Sequence, residues 1–347
     1  MEMKLIDYQI LCIYNNIGNA SVADFQETEN IEQYTKDLLT RAMNQQDRRY
    51  KFNENKRTTR ERVLSIAAKK SIDEIGLELG NDLAYSEKCK NEEIKHLKTQ
   101  IPVGVLIVAY GIYDNHEFVL LLKSDYDKFI SEATGKIQSG LSLKNQIYKT
   151  CQFTIRRSAQ EIEVSDITTS DSTKRQSEYW HKDFLELNPV YTDTENTDKA
   201  YSAIKKNILK PLQKDSPSDH RTLKQLTVGY FRQSGTFDID YYRDEVLGKY
   251  QPQEPDRVNI DKLKSKVDKI KASKSFDPVF NKDTSVVKDR IKGSYKLTDE
   301  MDLKVKTDFP NPQNIILPFE DKGRKGVTII SERGYIFAQD IRTNKLL

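Results

Sequence analysis

The chain has 347 residues, of which 37% are hydrophobic, 31% charged and 9% aromatic, and its formal net charge at neutral pH is +3. Its 13 Phe and 18 Tyr, with many Ile, Leu and Val, can build a sizeable core, which excludes wholesale disorder, and the length predicts two domains. The near-neutral sum removes any argument from bulk charge, so evidence for a polyanionic partner has to lie in how charge is distributed.

Cys12, Cys89 and Cys151 are far apart, with no CxxC pair and no companion histidine cluster, which argues against a disulfide framework and a zinc site. The first fifteen residues lack the pattern of a signal peptide. The longest apolar run, 103–113, falls far short of the roughly 20 residues that span a bilayer. The expectation is a cytoplasmic protein with no membrane partner.

Residues 4–14 mix Leu5, Ile6, Tyr8, Ile10, Leu11 and Ile13 and read as a strand, followed by a turn around Gly18. From Asn30, a plausible N-cap, Ile31, Tyr34, Leu38 and Ala42 recur at helical spacing. A second helix opens at Thr58-Thr59-Arg60-Glu61 in a capping-box pattern. Leu64, Ala68, Ile72, Ile75 and Leu79 share its face, Gly80-Asn81 ends it, and a weaker helix covers 82–97. Residues 103–112 and 117–123 flank the turn signal Asp114-Asn115 and predict a hairpin buried on both faces. A further strand is expected at 151–155, and the Ser-, Thr- and Asp-rich stretch 158–173 reads as a surface loop.

Beyond it, a helix over 175–187 carries Trp180, Phe184 and Leu187. Tyr201, Ile204 and Ile208 lead to a stop or kink at Pro211. Ser216-Pro217-Ser218-Asp219 starts another helix, Ile239, Tyr242, Val246 and Tyr250 make a stripe, and Ile260, Leu263, Val267 and Ile270 make a narrow one. Leu303, Val305, Thr307 and Phe309 alternate as a strand, and 327–331 and 335–341 read as a hairpin around Arg333-Gly334. The fold class predicted is α+β. An N-terminal α/β domain, 1–190, holds a buried antiparallel hairpin sheet flanked by helices; a helical region, 191–347, is closed by a small antiparallel sheet or β-meander.

Charge is uneven along this plan. Residues 41–70 carry net +7, 257–274 net +5 and 203–224 net +4, which leaves −13 for the remainder of a +3 chain. The connection between the first two helices interleaves cations with aromatic rings: Arg48, Arg49, Tyr50, Lys51, Phe52, Lys56, Arg57 and Arg60. Arginine and lysine neutralise phosphates, and an exposed ring can stack on an unpaired base or wedge into a groove. The competing reading is an exposed loop whose charges only solvate it while Tyr50 and Phe52 anchor it to the core. The second candidate is the helix at 260–274, through Lys262, Lys266 and Lys269; its competitor is a solvated face behind a packed seam.

Chemistry is harder to find. No GxxxxGK or GxGxxG occurs, which argues against a P-loop or Rossmann enzyme. His181-Lys182-Asp183 are adjacent where a phospholipase-D-type site spaces them apart. Glu93 with Lys95 and Asp302 with Lys304 have the ExK or DxK spelling of a metal-dependent nuclease, a spelling that arises easily by chance in so charged a chain. No catalytic residue, metal ligand or cofactor is assigned, and the expectation leans against an enzyme.

The order of these pieces resembles the bacterial nucleoid-associated protein family of NdpA type. The strand KLIDYQILCIYN, the Arg-rich connection, the hairpin VGVLIVAYGIYDNHEFVLLLK, the aromatic helix EYWHKDFLEL and the closing LKVKTDFPNPQNIILPF…KGVTIISERGYIFAQDIRTN carry the resemblance. The aromatic helix departs from the family's FxxFLG-like ending at Leu185-Glu186-Leu187. The resemblance implies a cytoplasmic, nucleoid-located DNA-binding protein with no catalytic residues to carry over. The expected partner is DNA, double-stranded ahead of single-stranded, bound by phosphate contacts with weak sequence preference. The alternatives are a component of a larger bacterial assembly, such as an anti-phage defence system, with a nucleic acid or an acidic protein as partner, and a metal-dependent nuclease. A homodimer is open.

Overall fold

Strand β1 (Met3–Tyr14) turns through Gly18 into the short edge strand β2 (Asn19–Val22) and then into helix α1 (Thr28–Met43). The computed structural model describes residues 3–25, 28–45, 47–130, 135–141, 148–174, 177–287, 293–305, 315–321 and 323–343. After α1 come strand β3 (Arg48–Phe52), helices α2 (Thr58–Lys69) and α3 (Asp73–Ile94), and the predicted hairpin, β4 (Gly104–Tyr113) and β5 (His116–Ile130). The hairpin has a two-residue loop in which Asp114 and Asn115 both take positive φ, 49° and 63°. That geometry matches the right-handed twist of the strands, and Asp and Asn tolerate it.

Strands β6 (Ile137–Leu141), β7 (Tyr148–Arg157), β8 (Ile162–Asp171) and β9 (Leu187–Pro189) complete an antiparallel sheet ordered β2-β1-β4-β5-β7-β8-β3-β9, with β6 paired to β5. Side chains of β4 alternate between two cores. Leu106, Val108 and Tyr110 pack with α2, α3 and the aromatic segment Tyr179–Phe184, whereas Val105, Ile107 and Ala109 pack with Tyr34, Leu38 and Leu39 of α1. The sheet is therefore covered on both faces, as the continuous apolar run requires.

Several expectations are corrected. The stretch 158–173 contains strand β8, whose residues Thr168–Asp171 are buried; Thr150 and Ser170 hydroxyls meet at 3.1 Å across the ladder, so the polar side chains satisfy each other. The stripe from Leu64 to Leu79 is two helices, broken where Lys70 takes φ 56° and Asp7 accepts from the Ile72 amide at 2.8 Å. Gly80 does not end a helix. It lets α3 lie against β1 and β2, since a Cβ there would stand 2.9 Å from the Ala20 Cβ. The Thr58–Glu61 box does not form either: Thr59 donates its amide to the Glu186 carboxylate, 127 residues away. The aromatic helix shrinks to one wide turn, Tyr179–Phe184.

The helical stretch then runs as α4 (Asp193–Ile204), a wide turn at Lys205–Leu209, α5 (Lys210–Asp215) and α6 (Pro217–Arg232). Pro211 follows the widened turn, where the regular hydrogen-bond ladder is already interrupted, so the helix passes through it. Ser216 caps α6 as expected. Next are β10 (Thr236–Asp238), the single turn α7 (Ile239–Tyr241) with its wide continuation Tyr242–Leu247, helix α8 (Ile260–Ala272), and β11 (Val279–Asn281), which pairs with β10.

The chain divides into two compact units, Met1–Thr284 and Ser285–Leu347, instead of parting near residue 190. The expected boundary is stitched across by Asp277, which accepts from the Arg49 side chain at 3.1 Å and the Asn196 side chain at 3.0 Å. Within the smaller unit, β12 (Gly293–Lys296) pairs with β13 (Asp302–Val305) and β14 (Ile316–Asp321) with β15 (Arg324–Ile329). The hairpin expected around Arg333-Gly334 is instead helix α9 (Glu332–Arg342), started by Ser331 accepting from the Gly334 amide. Thr307 and Phe309 of the expected closing strand, and Arg175, lie outside the described residues. Among the described residues no helix is long and apolar enough to cross a membrane.

Candidate nucleic-acid interface

The Arg-rich connection is not an exposed loop. Arg48, Arg49 and Tyr50 belong to β3, paired on one side with β8 and on the other with β9, and their side chains are committed to the fold. The Arg48 guanidinium, 7% exposed, bonds Asp193 at 3.0 Å and the Tyr191 carbonyl at 3.2 Å. Arg49 reaches Asp277 at 3.1 Å through Nε and lies over the Tyr191 ring, 5.2 Å from its centroid. Tyr50 is buried against His181, ring centroids 5.0 Å apart, and burial raises its phenol pKa. Phe52 stacks on Phe153. These three members of the predicted site are structural, and the anchoring role is the one Tyr50 and Phe52 fill. Lys51, Lys56, Arg57 and Arg60 remain exposed around the entry to α2.

Helix α8 gives the other candidates a definite geometry. Asn259 caps it by accepting from the Lys262 amide at 2.9 Å, and Leu263, Val267 and Ile270 are buried, so the narrow seam belongs to the core. At 100° per residue the polar positions fall on two flanks of that seam. On one flank three charges are matched: Lys264 bonds Asp244 at 3.0 Å, Lys271 bonds Asp240 at 2.7 Å, and Asp268 bonds Arg243 at 2.8 Å, while Asp261 in the first turn is exposed. Hydrogen bonds from Arg243 and then Lys264 hold the Asp244 carboxyl well below its ordinary range.

On the opposite flank stand Lys262, Lys266 and Lys269, spaced i, i+4, i+7. Lys262 and Lys269 are exposed and Lys266 is half-buried. None of the three forms an ion pair among the described residues. The wide turn Lys205–Leu209 packs against α8 and adds Lys205 and Lys206, both exposed.

The two basic segments of the sequence do converge, at the C-terminal end of α8. There a cleft of about 360 Å³ is lined by Asp47, Arg49, Lys174, Asp240, Lys271 and Lys274, among others, with Phe276 in its wall. Most of its charges answer one another: Lys174 lies 3.4 Å from Asp47 and 3.6 Å from Asp238. Burial raises the Asp47 pKa despite Lys174 beside it. Four of the five bases in its lining are paired with acids and Lys274 forms no ion pair among the described residues, so the cleft keeps one unmatched cation where the flank of α8 has three.

The weak catalytic candidates stay apart. Glu93 is exposed near the end of α3 and bonds Lys90; Asp302 is exposed on β13 in the smaller unit. His181 is half-buried, and burial followed by the Arg48 charge lowers its pKa, favouring the neutral ring. Among the described residues no three His, Cys, Asp or Glu side chains are grouped to hold a metal ion.

Sequence reasoning missed Asp277 and Asn196, the pair that receives β3. Alternation in Arg48-Arg49-Tyr50-Lys51-Phe52 was a usable strand signal for the arginines, whereas nothing local marks Asp277. No family model matches the chain, and no curated protein matches it.

Proposed function

We propose that the chain binds nucleic acid, duplex DNA ahead of single strands, through phosphate contacts made by Lys262, Lys266 and Lys269, with Lys205 and Lys206 beside them. The supporting observation is the asymmetry of α8: on one flank Lys264, Asp268 and Lys271 are each paired with a neighbouring element, while the other holds three lysines that form no ion pair among the described residues. Like charges at i, i+3 and i, i+4 cost a helix a few tenths of a kcal/mol per pair. An external polyanion turns that cost into binding energy by releasing its condensed counterions. The resemblance to nucleoid-associated proteins points the same way. Weak sequence preference follows from contacts made to phosphates and not to base edges.

The test is a gel shift on duplex DNA across a salt series, with and without a polyglutamate competitor. Changing Lys262, Lys266 and Lys269 to Gln should weaken binding and reduce the slope of log K against log salt by about 3, since each lost phosphate contact removes roughly 0.9. Changing Lys56, Arg57 and Arg60 to Gln instead should have a smaller effect. A slope unchanged in the α8 variant sinks the assignment. Complete displacement of DNA by equimolar polyglutamate favours an acidic protein partner.

A further inference from the structure

The cleft at the C-terminal end of α8, separate from the bare lysine flank, holds two opposite charges that find no mate. Lys274, exposed just past the helix, and Asp166, half-buried on β8, both line it, and neither forms an ion pair among the described residues. They do not meet each other either, so a gap parts an open carboxylate from an open ammonium. The floor is under-satisfied as well. Thr168 lies on the same face of β8 as Asp166, and its ladder partner Gln152, 9% exposed, has an Oε1 with no hydrogen-bond partner among the described residues. The Nη2 of Arg49 is buried and unpartnered too. Native structures leave few buried polar atoms unsatisfied, so two of them beside one cleft point to a polar group supplied from outside the chain.

We propose that the cleft binds a guanine mononucleotide, with the base on Asp166 and the phosphate on Lys274. The carboxylate selects the base. Guanine alone among the common bases sets two N–H donors side by side on its pairing edge, and the two oxygens of a carboxylate accept both. Adenine and cytosine place a ring acceptor beside their amino group, which an ionised carboxylate repels. The ammonium selects the other end, since a phosphate brings the negative charge that Lys274 lacks. Phe276 and Pro278 add an apolar part to the lining, which suits a flat ring, and about 360 Å³ lies within the size range of small-ligand pockets. A free amino acid also carries both charges, but it leaves much of that volume and the apolar wall unfilled.

The experiment is calorimetric titration of the full chain with guanosine monophosphate (GMP), adenosine monophosphate (AMP), guanosine and inorganic phosphate, each alone. GMP should bind about tenfold or more tighter than AMP, guanosine or phosphate. Asp166→Asn replaces one acceptor with a donor; it should weaken GMP by about tenfold and bring AMP level with it or ahead, because an amide matches the donor and acceptor of adenine. Lys274→Gln should weaken GMP by about fivefold and leave guanosine unchanged. Neither side chain is paired in the fold, so both variants should keep the wild-type circular dichroism. A mere loss of structure weakens every ligand alike and does not reverse the order of GMP and AMP. No binding of GMP at millimolar concentration, AMP bound as tightly as GMP by the wild type, phosphate bound as tightly as GMP (an adventitious ion only), or GMP binding unchanged in both variants overturns the proposal.

Discussion

Lys123 and Glu87, each shut off from solvent, meet with Nζ 3.4 Å from the carboxylate Oε1. Lys123 also bonds Asp125 and donates to the Pro102 carbonyl at 3.0 Å, and Asn15 donates to Glu87 at 3.0 Å. The cluster ties α3, the start of β4 and the turn after β1 to the same strand.

Removing the lysine leaves a buried carboxylate without its cation, which costs about 3–5 kcal/mol. Lys123→Met should therefore lower the urea midpoint far more than Glu87→Gln, which keeps the Asn15 bond and the Lys123–Asp125 pair. Burial raises the Glu87 pKa, opposed by Lys123 and Asn15. A raised carboxylate pKa favours the folded state most below the ordinary value, and that contribution fades as pH climbs through the folded value. Glu87→Gln should remove that decline. Equal midpoints for the two variants refute the argument.

Asp277 is the second place where one substitution should act globally. It receives Arg49 twice, through the backbone amide and Nε, and exchanges two bonds with Asn196. Asp277→Ala should cost about 3–5 kcal/mol by stranding Arg49 beside an apolar methyl, while Arg48 keeps Asp193. Any loss of DNA binding in an Arg48 or Arg49 variant should then accompany lost helicity by circular dichroism. Lost binding with an unchanged fold would return those arginines to the interface.

A pH limb on the acid side should come from Asp219, buried in the first turn of α6. Burial pushes its carboxyl up, but the Tyr250 hydroxyl, the Gln253 amide at 2.7 Å, Ser216 and the Glu254 amide outweigh it, and the net shift is downward. A lowered folded pKa gives stability that is present above the ordinary aspartate value and lost as pH falls through the folded one. Asp219→Asn should flatten that limb of the stability–pH curve. The same slope in wild type and variant would place the limb elsewhere.

Gly80→Ala tests the contact between α3 and the sheet edge. Alanine gains about 1 kcal/mol of helix propensity, but the added Cβ arrives 2.9 Å from the Ala20 Cβ and must displace β2. Net destabilisation of about 1 kcal/mol is expected from thermal melts; a rise in melting temperature shows that β2 yields freely.

What could be read from the chain was what is local. The β4–β5 hairpin announced itself because Asp114-Asn115 carries its own turn geometry, and α6 because Ser216 and Pro217 cap it from within. Strand β8 was hidden by polarity: its Ser and Thr hydroxyls are satisfied by neighbours on β7, which no single-strand pattern reveals. Helix α9 hid behind the β-rich spelling of Tyr335-Ile336-Phe337, though Ser331 three residues before Gly334 was its capping signal. The arginines of β3 were correctly singled out for their charge and misjudged in their use, because the acids that claim them, Asp193 for Arg48 and Asp277 for Arg49, lie far along the chain, 228 residues on in the second case. On α8, by contrast, the seam and the bare lysines both follow from helical spacing, and only the pairing of the other flank needed the fold.

The reach from Arg49 to Asp277 also has a history in time. The two residues are 228 positions apart. At about 5–20 residues per second, β3 leaves the ribosome roughly 10–45 s before the carboxylate that neutralises it. Once Pro189 is made the sheet is complete in sequence, yet Arg49 still lacks its acid until Asp277 follows, and closing so long a loop is slow. The nascent chain thus carries Arg49 without its acid until Asp277 follows, and that late carboxylate is what commits the arginine to the fold.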